Sequence, residues 1–185
     1  YDNKNTDEVI ATVTTENGTS QYKKANGYMW VEDVEQLQAI GKNANTLSGN
    51  YALRNSIDAT STANWNEVNG TYEGFNPIGL DKTGKVIVNN NEYGFTGNFD
   101  GLDYNIFGLT INRESEANVG LFGVAHNANI NNVTLVGGSI TGGSVVGSVI
   151  GAALGNTHIT NATNSASVTG NTDVGGIVGY SGDDI

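Results

Sequence analysis

Three glycine-framed tetrapeptides set the terms for what this chain can fold into. "GLFG" ends at Gly123, "SVIG" at Gly151 and "GIVG" at Gly179, so both intervals are 28 residues. A Val-Gly pair precedes or enters each, at Val119-Gly120, Val146-Gly147 and Val174-Gly175. A second element recurs as "INNVTL" from Ile130 and "ITNATN" from Ile159. It is foreshadowed by "IFGLTI" from Ile106, giving spacings of 24 and 29 residues. Unequal spacing with a constant order of apolar positions means that loops absorb insertions while strands keep phase. Each unit predicts two or three strands of about three to five residues between Gly, Asn, Ser and Thr turns. One such unit cannot bury its own apolar side chains. Stacked units can, when each strand pairs in parallel with its equivalent in the next. The expected fold is therefore all-β, a parallel β-helix. A propeller would need longer strands and regular hairpin signals, and leucine-rich repeats a Leu-dominated consensus.

The N-terminal half does not share the repeat. "VEDVEQLQAIG" (31–41) spaces Val34, Leu37 and Ile40 by three, with acids early and Gly41 at the end, as a short helix favours. The first coil of a β-helix exposes apolar side chains and unpaired backbone unless covered, so 28–60 reads as a helical or loop cap. That cap includes an entering strand at Tyr51, Leu53 and Ile57. Segment 61–94 carries aromatics but repeats nothing, and reads as loop-rich early coils. Residues 95–185 are the regular coils of the 28–185 β-helix, truncated at the C-terminus. Residues 1–27 are polar and charged, with one strand expected at 9–13, and read as a linker or the tail of a preceding domain. The start at Tyr1 and the end within a glycine-rich motif suggest a monomeric fragment of a longer chain.

Charge narrows the partners. There are 19 acidic and 8 basic residues, a net of −11, and every Lys and Arg lies at or before Arg113. Phosphate binding needs clustered positive charge, so nucleic acid is not expected as a partner, and anionic membranes are disfavoured. No run of about 18 apolar residues is present, so no membrane insertion is expected. Absence of cysteine removes disulfides, thiolate zinc sites and thiol catalysis together. It suits a bacterial exoprotein threaded unfolded through a membrane, with acidity serving solubility outside the cell.

Several local patterns invite a chemical reading. "GNFDGLDY" (97–104) sets Asp100 and Asp103 three positions apart. A calcium β-roll would repeat an Asp nine residues on, where Leu109 and Asn112 stand. A β-helix glycosidase or lyase would need acids converging from neighbouring coils, where Asn, Ser, Thr and Ala are found instead. Asp100-Gly101 suits a tight turn, with Gly101 accepting positive φ and Phe95, Phe99, Ile106, Leu109 and Ile111 pointing inward around it. "GLDKTGKV" (79–86) fits a phosphate loop up to its Lys. Val86 then replaces the needed hydroxyl and a strand follows, so it reads as a turn. His126 and His158 follow the tetrapeptide motif at similar phase and read as exposed turn residues rather than a metal pair. No catalytic residue, metal ligand or cofactor is assigned.

Four N-x-[ST] sequons, at Asn17, Asn69, Asn132 and Asn161, are about as many as chance predicts from the Asn, Ser and Thr content. The aromatics crowd between Tyr22 and Phe122. Most read as core, with Trp65 and Tyr72 as the loop residues expected to be exposed and able to stack on sugar rings.

The ordered series "GYMWVEDVEQLQAI…LSGNYALRNSIDATSTANWN", "GFNPIG", "FTGNFDGLDYNIFGLTINR" and "NVGLFG" resembles the GLUG-repeat region of filamentous-haemagglutinin-like, two-partner-secretion adhesins, over about 28–182. The resemblance implies a right-handed parallel β-helix, export through an outer-membrane secretion pore, and display at the bacterial surface. It implies adhesion and fixes no catalytic residue. The function expected is a rigid stalk or adhesive scaffold in cell attachment. A module binding host glycans or receptors through Trp65 and Tyr72 is the first alternative, and a polysaccharide-degrading β-helix the second.

Overall fold

A computed structural model describes residues 8–15, 18–25, 27–89 and 91–183, with side chains for 27–88 and 91–183. The chain is mostly short β-strands, and their parallel pairing follows the repeat. Four strands, each in a different sheet, make one circuit: β10 (Asn98–Asp100), β11 (Asn105–Phe107), β12 (Thr110–Val119) and β13 (Phe122–His126). The next circuit is β14 (Asn129–Asn131), β15 (Thr134–Val136), β16 (Ser139–Gly147) and β17 (Ile150–Leu154). Each of its strands lies parallel on its equivalent, placing Phe99 opposite Ile130, Ile106 opposite Leu135, Ile111 opposite Ile140 and Phe122 opposite Ile150. A last circuit runs through β18 (His158–Thr160), β19 (Thr163–Asn164), β20 (Ser167–Thr169), β21 (Thr172–Gly175) and β22 (Val178–Gly182). It repeats the pairing at Ile159, Val168, Val174 and Val178.

The tetrapeptide period therefore maps onto the β13–β17–β22 ladder. The second element is displaced from the sequence alignment. Ile106 pairs with Leu135 rather than aligning with Ile130, and Phe99 is the partner of Ile130. Two adjacent strands with the same apolar spacing look alike in sequence, and only the hydrogen-bonded register tells them apart. Each circuit also holds four or more strands rather than two or three.

An earlier circuit is broken by insertions. β4 (Asn50–Leu53) and β5 (Ile57–Asp58) set Tyr51 opposite Phe99 and Ile57 opposite Ile106. Gly74 then bridges to Ile111 and Ile78 to Phe122. Between these ladder positions lie a 3₁₀ turn (Thr60–Asn64) and a hairpin of β6 (Glu67–Val68) and β7 (Thr71–Tyr72). A second hairpin, β8 (Val88–Asn89) with β9 (Glu92–Tyr93), follows Ile78. Segment 61–94 thus supplies both loops and ladder residues.

The inward columns close a continuous apolar core. Tyr51, Phe95, Phe99 and Phe122 are fully buried, and the Phe95–Phe122 and Phe99–Phe122 ring centroids lie 4.9 and 5.4 Å apart. Over the N-terminal end sits helix α1 (Val34–Ala39), which puts Val34, Leu37 and the following Ile40 into the same core. Asp33 caps it by accepting from the Gln36 N–H at 2.7 Å. A second short helix, α2 (Ala44–Leu47), is closed by a capping box between Asn43 and Thr46.

Residues 8–25 depart from the linker expectation. β1 (Glu8–Thr15) and β2 (Gly18–Ala25) form an antiparallel hairpin. β2 continues onto β3 (Tyr28–Val31), and β3 lies parallel on β4. All belong to one seven-stranded sheet with β10, β14 and β18. The expected strand at 9–13 falls within β1. Backbone pairing carries these strands, and pairing leaves little apolar signal in a polar stretch.

Candidate functional site

The corner after β10 is where the sequence looked most like a site. Asp100 Oδ1 accepts from the Leu102 N–H at 2.9 Å and from Asn132 Nδ2 at 2.8 Å. Asn161 Nδ2 in turn donates to Asn132 Oδ1 at 3.0 Å. The carboxylate therefore heads a ladder of side-chain amides across three circuits, with Asn132 and Asn161 in the left-handed region that Asn tolerates. Gly101 is required for a different reason from the one expected. Positive φ falls on Leu102 (47°) and Asp103 (60°), whereas a Cβ on Gly101 would strike the Asn132 carbonyl oxygen of the next circuit. Asp103 is exposed on the strained pair. This geometry orders a turn and sets the stagger between circuits.

A parallel ladder runs along the outer face of the same sheet. Asn98 Nδ2 donates to Asn50 Oδ1 at 2.5 Å, and Asn129 Nδ2 to Asn98 Oδ1 at 2.8 Å. His158 follows in register, opposite Asn129, and is exposed.

His126 is not the exposed turn residue that its sequence context predicts. It ends β13, is buried, and lies opposite Leu154, so the two histidines share no ladder position. Its Nδ1 stands 2.9 Å from Glu92 Oε2, and the Tyr93 ring meets it edge-on at 5.5 Å. The β8–β9 hairpin has folded over the outer face of β13, and that cover was invisible in the sequence. Among the described residues no group of three or more His, Cys, Asp and Glu is placed to hold a metal ion. Beside the hairpin, a cavity of about 130 Å³ is lined by Leu47, Ile87, Glu92 and Thr96.

The two aromatics expected in the loops separate. Trp65 is 8% exposed and belongs to the core, which corrects the expectation that it offers an open ring. The 3₁₀ turn directs it inward: its N–H donates to Thr62 O, and its carbonyl accepts from the Gly74 N–H. Tyr72 is 41% exposed on the β6–β7 hairpin, and Val68, on the hairpin's other face, is 46% exposed. A further exposed apolar group, Leu102, Tyr104 and Phe107, flanks the β10–β11 corner.

The 79–86 stretch is a turn. Asp81 Oδ1 accepts from the Thr83 hydroxyl and N–H and from the Lys85 N–H, at 2.7, 2.8 and 3.1 Å. The Thr83 hydroxyl bond, assisted by these backbone donors and the Lys85 charge, holds the Asp81 carboxyl below the usual carboxylate range.

Other polar anchors had no sequence signal. Arg113 is buried, with Nη1 2.8 Å from Glu116 Oε1 and Nη2 3.3 Å from Glu73 Oε2, tying the first loop to a bulge in β12. The buried Thr62 hydroxyl accepts the Thr110 N–H at 2.9 Å, standing in for a missing strand at the edge of that sheet. Gln38 and Asn76 exchange side-chain and backbone bonds of 2.9 and 2.8 Å, fastening α1 to the loop before Ile78.

No family model matches the chain, and no solved structure matches it. The chain is 33% identical over 177 residues to Halomucin of Haloquadratum walsbyi, an alignment covering 93% of this chain and 2% of that protein. The chain thus spans 2% of its relative's length. Among the described residues no helix is long and apolar enough to cross a membrane.

Proposed function

We propose that this chain is a segment of a rigid stalk: a right-handed parallel β-helix within a secreted microbial surface adhesin, serving as a scaffold in cell attachment and without catalysis. The observation that carries this reading is the unbroken register from β4 through β10 and β14 to β18, repeated in the other sheets. A stack of this kind transmits force along its axis through many parallel bonds, and its polar ladders leave the corners bonded to each other rather than to a ligand. The mucin name of the similar protein supports a place outside the cell. The resemblance to secreted adhesins supports passage through an outer-membrane pore.

Single-molecule pulling along the axis tests the stalk. Circuits should unravel one at a time, each releasing about 28 residues, roughly 9–10 nm at 3.3–3.6 Å per residue. Collapse of the whole segment in one low-force step would sink the reading.

A second reading, a module that binds glycans or host receptors, rests on exposed Tyr72. Saturable binding on a glycan array or to host cells, lost in Tyr72→Ala, would favour it. Trp65→Ala is not a clean control, since Trp65 lies in the core.

A further inference from the structure

We infer that Asn69 is an acceptor for an N-linked glycan, carried at the tip of the β6–β7 hairpin. The inference rests on the extracellular setting proposed above but not on the mechanical role.

The sequon motif alone selects nothing here, because its frequency matches composition. Geometry separates the sites. Asn132 is partly buried, and its amide nitrogen donates to Asp100. Asn161 is exposed, yet its amide nitrogen donates to Asn132. A sugar on Asn132 would have to fit between circuits stacked at about 4.8 Å, and one on Asn161 would crowd the amide bond that holds it to Asn132. Asn17 lies outside the described residues. Asn69 occupies the first tip position of a two-residue hairpin turn, with φ of 51° followed by Gly70 at 81°. Asn69, Gly70 and Thr71 are all exposed, and no described residue bonds to the Asn69 amide.

A second observation points the same way. Tyr72, three residues after Asn69 on the same hairpin, is left 41% exposed. A pyranose presents a C–H face that covers such surface and stacks on a tyrosine ring.

The donor class is a sugar activated through a phosphate or pyrophosphate ester at its anomeric carbon. A glycosyltransferase recognising Asn69 and the Thr71 hydroxyl would join Nδ2 to that carbon. The bond from the carbon to the phosphate oxygen breaks, its electron pair leaves with the phosphate, and the Nδ2 proton passes to a base of the transferase.

The test is peptide mass mapping of the full chain purified from the cells that produce it. The peptide containing Asn69 should carry sugar mass increments that are absent from peptides containing Asn132 and Asn161. Thr71→Ala, which keeps Asn69 and its turn, should abolish the increment without shifting the thermal midpoint. An exported chain bare at Asn69, sugar on Asn132 or Asn161 instead, or a modification surviving Thr71→Ala would each overturn the inference. An exported, unmodified chain that still unravels circuit by circuit would refute the glycan and leave the stalk standing. A chain retained inside the cell would refute both.

Discussion

At Gly101 one methyl group separates a working corner from a collision. Alanine there must displace the Asn132 carbonyl, an overpacking cost of about 1–3 kcal/mol. Asp100→Asn keeps the Oδ1 acceptor for Leu102 and Asn132 and should cost under about 1 kcal/mol. Asp100→Ala loses both bonds and should cost about 1–3 kcal/mol. Urea denaturation of the three variants checks the order. A catalytic aspartate would instead show itself as turnover lost in Asp100→Asn with stability intact. Tyr51 offers a pH test at the same scale. Burial pushes its hydroxyl well above the ordinary value of 10.0, while that hydroxyl donates to Thr46 O at 2.7 Å. The folded state therefore keeps the phenol neutral where the unfolded chain ionises. Its contribution is fully present below about pH 10 and is lost as pH rises beyond it. Stability should decline above that point in the native chain and decline less in Tyr51→Phe, as followed by chemical denaturation at several pH values.

Between elements, a reciprocal pair of hydrogen bonds fastens α1 to the loop before Ile78. Gln38 meets the Asn76 backbone through both amide atoms, so Gln38→Ala leaves an N–H and a carbonyl without their partner. The expected cost is about 1–3 kcal/mol. Hydrogen exchange should accelerate at Asn76 and Ile78 while β14 to β17 stay protected. Uniform loss of protection would mean that the helix and the ladders unfold as one unit. Helix α1 itself was legible, because acids near its start, a three-residue apolar spacing and Gly41 all act locally. Trp65 and His126 were not, because each is buried by a segment distant in sequence or by a turn whose direction no local pattern specifies. The β1–β2 hairpin was missed for a related reason, since backbone pairing holds polar strands as well as apolar ones.

Across the whole molecule the formal net charge is −11. Self-repulsion of that size opposes compaction, so potassium chloride raised from 0.01 to 1 M, shrinking the screening length from about 30 to about 3 Å, should raise the thermal midpoint. A midpoint that is flat or falls would show that local ion pairs such as Arg113 with Glu73 and Glu116 outweigh the net charge. What the sequence determined by itself is the repeat: apolar residues at a near-constant period are buried when equivalent short strands stack in parallel, with Gly-, Asn- and Thr-rich turns between them. What tertiary structure alone decided is which strand meets which, and what covers what. Ile106 and Phe99 are equally good local candidates to face Ile130, and the hydrogen-bonded register of β10 on β14, with the Asn98–Asn129 and Asp100–Asn132 side-chain bonds, chooses Phe99. Burial of Trp65 and His126 was settled in the same way, by the path of the inserted loops. Periodicity is a property of neighbours along the chain, whereas register and cover belong to segments that meet only after folding.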